Sequence, residues 1–151
     1  MKYYPDSCMT EYNLSNFLPY QVSALAGKLS RELEKRYNLD HHLTVPEWRV
    51  LFHLSQSGII KMNKLLIKVD LHKSRVSRAC KRLENSGLIN RENNPADKRE
   101  TFLSLTGEGK KLMSELKPIA VQYNEKLIQL LGSEGPAFTK GLKVLLESEE
   151  P

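Results

Sequence analysis

The sequence predicts a mainly α fold with a small β-wing (α+β). Three observations carry this. Apolar residues recur at three- and four-residue spacing along most of the chain, which marks helices with one buried face. Two short β-rich runs, residues 88–92 and 99–105, flank the loop 93–98, whose Asn93, Asn94, Pro95 and Asp97 are turn formers. A Ser86-Gly87 stop separates the first run from a short, basic, amphipathic segment beginning at His72.

Composition sets the class. The 151 residues suffice for one domain or one intertwined unit. Hydrophobic residues make up 40% and charged residues 27%, a globular rather than a disordered balance. No apolar run approaches the roughly 18–20 residues of a membrane span. The N-terminal residues lack the apolar core and small-residue cleavage site of a secretory signal. The two cysteines, Cys8 and Cys80, cannot build a disulfide framework and are expected to be reduced thiols in a cytoplasmic protein.

Charge is informative through its placement. The net charge is +5. Residues 61–106 hold eleven Lys/Arg against five Asp/Glu, an excess of +6, while the remainder holds twelve against thirteen. A positive excess confined to one segment is the footprint of a polyanionic partner.

Residues 1–11 are polar and aperiodic, with Pro5, and read as a mobile arm. Leu18, Val22, Leu25, Leu29 and Leu33 line one face of a helix ending near Asn38, with Pro19 near its start, where proline is tolerated. Residues 39–43 connect it to a second helix. There Thr44, Pro46 and Glu47 form a capping-box start, and Trp48, Leu51, Phe52 and Leu54 an apolar side, before Ser57-Gly58 stops it. His53 lies among these apolar residues and reads as a satisfied or surface histidine. Ile59 and Ile60 lead into a short helix, 62–68, and Asp70-Leu71 turns the chain into the helix 72–86. Val76, Ala79, Cys80 and Leu83 of that helix face inward; Ser74, Ser77, Arg78, Lys81 and Arg82 face outward. Beyond the hairpin, Thr106 caps a long helix, 107–131, which Pro118 is expected to kink. A last helix, 136–147, carries Phe138, Leu142, Leu145 and Leu146. The first helix and the last two carry more apolar surface than one chain buries easily, which favours a two-fold dimer built from both ends of the sequence.

The order helix, turn, helix, strand, wing, strand is that of a winged helix-turn-helix. Four pieces add a family resemblance: R-L-E-x-x-G-L-I-x-R from Arg82 to Arg91, D-x-R at Asp97 and Arg99, L-T-x-x-G from Leu105 to Gly109, and T-V-P-E-W-R-V-L from Thr44 to Leu51. Together they resemble the MarR (multiple antibiotic resistance regulator) family over about residues 14–148. The resemblance implies an obligate dimer that binds near-palindromic operators and is released by a small phenolic, carboxylic or other ligand, or by oxidation. It implies a division into an N-terminal arm and dimerisation helix (1–38), a DNA-binding lobe (39–106) and dimerisation helices (107–151).

On that reading the chain is a transcriptional regulator, a ligand-responsive repressor, with double-stranded DNA as its partner. Lys73, Ser74, Ser77 and Arg78 are placed to reach base edges in the major groove. Arg75 lies more to the side, for base or phosphate; Lys81 and Arg82 suit phosphates. The resemblance implies a wing-tip pairing of Asp97 with Arg99, the arginine entering the minor groove. Lys98 stands where many members carry a second arginine, keeping the charge without the planar fork. Ligands in the family sit between the dimer region and the DNA-binding lobe, which makes Tyr20, Trp48, Arg49 and Phe52 the candidate wall for an aromatic or carboxylate effector.

Two alternatives stand beside this one: redox sensing through Cys8, and a winged helix used for protein contacts without DNA. An enzyme is not expected, for the sequence has no phosphate loop, no HExxH and no nucleophile elbow, hence no catalytic residues. His41, His42, His53 and His72 lack metal-ligand spacing, so no metal or cofactor is expected.

Overall fold

The computed structural model describes residues 13–38, 41–97 and 99–149. The expectations for the arm, Cys8 and Lys98 lie outside these residues. A 3₁₀ turn, Leu14–Asn16, precedes α1 (Leu18–Asn38). Then follow α2 (Val45–Ser57), β1 (Ile60–Lys61), α3 (Met62–Lys68), α4 (Lys73–Asn85), β2 (Ile89–Asn93), β3 (Thr101–Leu105), α5 (Gly107–Leu131), a second 3₁₀ turn and α6 (Gly135–Glu147). The fold is mainly α with one three-stranded antiparallel sheet, in the order β1-β3-β2.

The core gathers the inner faces of the middle elements. Val50, Leu51 and Leu54 of α2, Leu65 of α3, Val76, Ala79, Cys80 and Leu83 of α4, Leu103 of β3, and Met113 and Leu116 of α5 are all buried. Tyr37 joins them from the last turn of α1 and is fully buried. The other end of the α1 stripe is different: Leu18 is 51% exposed, and Val22 and Leu25 are exposed as well.

Strand β1 is absent from the periodicity. Two residues are too few to show a period, and the partner supplies the structure: Ile60 pairs with Leu103 and Lys61 with Phe102. Ile60 points inward and is buried, while Ile59 before it is 72% exposed. Strand β3 begins at Thr101, two residues later than expected. The reason is the turn before it, where Glu100 N–H donates to the Asp97 carbonyl and Asn94 N–H to the Glu100 carbonyl. Pro118 lies inside α5, which continues past it to Leu131. No described helix is long and apolar enough to cross a membrane.

The wing and α5 are clamped together. Thr106 N–H donates to the Leu88 carbonyl, and the Thr106 hydroxyl donates to the Gly87 carbonyl at 2.7 Å while accepting from Gly109 N–H. One side-chain oxygen thus caps α5 and ties it to the strand entry. Gly109 is buried against the same backbone; a Cβ there would run into the Leu88 carbonyl oxygen. Backbone cannot yield as a flexible side chain does, so Gly109→Ala is expected to destabilise the protein by about 1–3 kcal/mol. Thermal unfolding should register this as a drop of roughly 2–4 °C per kcal/mol, and an unchanged midpoint would show that the clamp gives way freely.

Candidate nucleic-acid interface

Helix α4 carries the densest charge. His72 stands at its N-cap, its Nδ1 accepting from Ser74 N–H at 3.4 Å. The inward residues Val76, Ala79, Cys80 and Leu83 are at most 2% exposed. Lys73, Ser74, Arg75, Arg78, Lys81 and Arg82 are exposed, and Ser77 is half-buried. The inward and outward sets are those the helical period gives. Burial pushes the Cys80 thiol up to about 11, so it stays protonated at neutral pH and behaves as a small packed hydrophobe.

Arg75, Arg78 and Arg82 recur at i, i+3 and i+7 and so share a side of α4. With Thr44 and Pro46 from the start of α2 they line a recess of about 210 Å³. Arg78 Nε donates to the Ser74 carbonyl at 3.2 Å, which lays its side chain back along the helix. Arg75 makes no ion pair among the described residues. Guanidiniums around a recess of this size form an anion-attracting corner.

Arg82 does something the sequence reading missed. Its Nε donates to Glu47 Oε1 at 2.7 Å, and its Nη2 reaches the Thr44 hydroxyl at 3.5 Å. The other Glu47 oxygen accepts from the Thr44 backbone N–H at 2.8 Å and from its hydroxyl. Glu47 was expected only to cap α2; it also binds α4 to the head of α2. Nothing in local periodicity marks a partner thirty-five positions away. Burial alone would raise the Glu47 carboxyl, but the hydrogen bonds from Thr44 and Arg82 outweigh it and hold the carboxyl below its ordinary value. The folded value thus lies below the unfolded one. The stabilisation is complete above the unfolded carboxylate range and is lost as pH falls through the folded value.

The wing tip is a turn rather than a strand. Asp97 Oδ1 accepts from the Arg99 backbone N–H at 2.9 Å. The Asp97–Arg99 contact is therefore made to backbone, and the exposed Arg99 guanidinium extends from a shaped turn. Asn94 shapes the other side: its Oδ1 accepts from Ala96 N–H and its Nδ2 donates to Glu100. Lys61 donates to Glu100 at 2.5 Å, tying the wing to β1, and this bond with that from Asn94 holds the Glu100 carboxyl below its ordinary range.

Of the four candidate ligand-wall residues, Trp48, Arg49 and Phe52 lie together within one chain and Tyr20 lies apart. Trp48 and Phe52 pack edge to face at 5.7 Å and both meet Tyr37, a ring the sequence reading did not include. Trp48 Nε1 and the Tyr37 hydroxyl are buried without a hydrogen-bond partner among the described residues, so packing and not hydrogen bonding holds these two rings. Burial pushes the Tyr37 hydroxyl up to about 12. Arg49 turns away to the Val69 carbonyl at 3.3 Å, with its guanidinium 5.7 Å from the Trp48 ring. Tyr20 is 49% exposed near the start of α1. It precedes Tyr37 by seventeen helical positions, about 25 Å along the axis at 1.5 Å per residue. Within one chain Tyr20 cannot share a wall with the other three. His53 is partly buried; burial, then the Lys68 and Arg49 charges, lower its basicity.

The sequence and the fold are similar to those of known proteins. The MarR family model matches residues 43–101, from the end of the α1–α2 connection into β3. The transcriptional regulator HosA of Escherichia coli O111:H- is 30% identical over 107 residues, covering 70% of this chain and 79% of HosA. The chain belongs to the MarR family. Among solved structures, a MarR family transcriptional regulator from Silicibacter pomeroyi superposes with a TM-score of 0.72 at 25% identity, over 89% of this chain and 90% of that one. Sco3205 from Streptomyces coelicolor, a MarR family regulator solved in complex with DNA, shares the fold with a TM-score of 0.75 at 24% identity, over 89% of this chain and 90% of that one. This MarR-family protein is a transcriptional regulator, not an enzyme.

Arg82 Nε is engaged by Glu47; if that pairing, and not a phosphate contact, is what Arg82 contributes, the following outcomes are expected. Arg82→Gln and Glu47→Gln should both weaken binding to a duplex that the wild-type chain selects from genomic fragments. Neither should change the slope of log affinity against log salt. Loss of a true phosphate contact would flatten that slope by about one. Fluorescence-anisotropy titrations over a salt series decide this, and a flattened slope for Arg82→Gln alone would return Arg82 to the phosphates.

Proposed function

We propose that this MarR-family regulator binds a near-palindromic operator as a homodimer, with α4 in the major groove and the wing in the minor groove, and represses transcription until an aromatic or carboxylate effector releases it. The observation that carries the reading is the placement of charge. The excess of +6 within residues 61–106 coincides with the outward face of α4 and the exposed Arg99 of the wing.

Lys73, Ser74, Ser77 and Arg78 lie in or near the first turns of α4, the part of a recognition helix that meets base edges. Arg78, released from the Ser74 carbonyl, can take guanine bidentately. Arg75, Lys81 and the recess beside Thr44 suit the backbone phosphates. Arg99 suits a narrow minor groove, where negative potential is concentrated. Lys98 adds charge beside it.

Exposed apolar residues on the terminal helices support the dimer. Leu18 and Leu25 of α1, Val121 and Ile128 of α5, and Phe138 and Leu145 of α6 are all more than a third exposed. Leu18, Val22, Phe138 and Leu145 line one apolar recess between α1 and α6; a two-fold axis there would cover it while setting two α4 helices about 34 Å apart. The effector would act by preferring one arrangement of the two halves over the other. A cytoplasmic location follows from this role.

Gel-shift titration against the selected duplex tests the reading. Arg78→Ala and Arg99→Ala should each abolish specific binding while light scattering still shows a dimer. Wild-type affinity in both variants would sink the groove assignment. If the dimer neutralises about six to ten phosphates, wild-type affinity should fall roughly 10³–10⁵-fold between 50 and 200 mM salt.

A further inference from the structure

Strand β1 pairs with β3 through Ile60–Leu103 and Lys61–Phe102, while β2 follows β3 on to Asn93–Thr101. Past Phe102, toward the wing tip, the sheet is therefore a two-stranded ribbon. Such a ribbon twists readily and is marginal by itself in water. Packing gives it little support. A cleft of about 70 Å³ separates Lys61, Met62 and Asn63, where β1 passes into α3, from Arg99, Glu100 and Thr101 of the wing.

One carboxylate crosses that cleft. Glu100 lies just before β3, the middle strand. Lys61 Nζ donates to its Oε1 at 2.5 Å, and Asn94 Nδ2, just past the end of β2, donates to its Oε2 at 2.9 Å. All three strands are thus joined through one side chain, two residues beyond the last backbone pair of β1. The Lys61 ammonium is 5.7 Å from the centre of the Phe102 ring, its register partner. Glu100 is also part of the tip turn: its N–H donates to the Asp97 carbonyl and its carbonyl accepts from Asn94 N–H. The side chains of Lys61 and Glu100 are 38% and 32% exposed. An ion pair this open adds little to stability. What it can do is fix a direction, because it is the bond that spans the cleft.

We propose that Lys61 and Glu100 are positioning residues for DNA recognition: their bond sets the angle of the wing against α3 and α4, and so where Arg99 is delivered relative to the recognition helix. The DNA consequence rests on the wing entering the minor groove, as proposed above; the setting of the angle does not. Charge alone predicts the opposite sign for Glu100. It is a negative group on a surface that faces a polyanion, and its removal would by itself strengthen binding. As a brace, its removal costs the wing its share of recognition.

Three full-length variants test this: Glu100→Gln, Lys61→Met and Lys61→Arg. In the free chain, ¹⁵N relaxation should give the amides of Asn94, Asp97 and Arg99 an order parameter of about 0.85 in the wild type and in Lys61→Arg. In Glu100→Gln and Lys61→Met these amides should fall toward about 0.6 while Leu103 stays rigid. Wing amides that do not respond in those two variants overturn the proposal. On the duplex selected by the wild type, hydroxyl-radical footprinting reads the minor groove and dimethyl sulfate protection reads the major groove. The two loosened variants should lose minor-groove protection, and about tenfold of their preference over a scrambled duplex, while the major-groove guanines stay protected. Lys61→Arg should keep both protections. Equal loss in both grooves would show a general structural defect, and tighter binding by Glu100→Gln would show a plain charge effect; either overturns the positioning role. A wild-type chain without minor-groove protection defeats the wing reading and the DNA role built on it, and the relaxation data still decide whether the pair sets the wing.

Discussion

Glu47 is the charged side chain that the described core has to accommodate, with 7% of its surface exposed. A carboxylate in such a position is costly unless its oxygens are bonded and its charge is matched. Here the two requirements are met from two helices. Thr44 supplies donors from the head of α2 itself, and Arg82 supplies the opposite charge from the far end of α4. The consequence is geometric. With Arg82 held at Glu47, and Val76, Ala79, Cys80 and Leu83 in the core, α4 is fixed in rotation about its own axis. That rotation decides which side chains face outward, and so where the basic surface lies.

The clamp at Thr106 extends the same rigidity to the other side. One hydroxyl bonds both the Gly87 carbonyl and the Gly109 amide, so the entry to β2 and the start of α5 move together. The chain thus joins its middle elements to its long C-terminal helices through a stiff corner.

Much of this was legible because helices repeat. The inward residues of α4 and the cap at Thr106 follow from periodicity and capping chemistry, and each describes a relation within a few positions of the chain. What escaped has another character. Strand β1 consists of two residues that acquire their structure from β3. The late start of β3 comes from hydrogen bonds at Asp97 and Asn94 within the turn, which residue preference marks as a turn without fixing its extent. The Glu47–Arg82 bond spans separate helices, and sequence gives the residue types but not their distance. The distance between Tyr20 and Trp48 within one chain escaped for the same reason: aromatic character was visible, while the length of α1 between Tyr20 and Tyr37 was not weighed. Tyr37 was overlooked because a tyrosine in a basic helical end looks like surface.

At the wing, the job of holding a shape and the job of presenting a charge are divided between two residues. Asp97 grips the backbone of residue 99, not its side chain. Any amino acid with an amide hydrogen could occupy position 99 and leave the turn as it is. A substitution at position 99 can therefore change the charge presented at this tip without a compensating change elsewhere, while position 97 is tied to the architecture. The turn thus constrains position 97 by its side chain and position 99 only by its amide hydrogen.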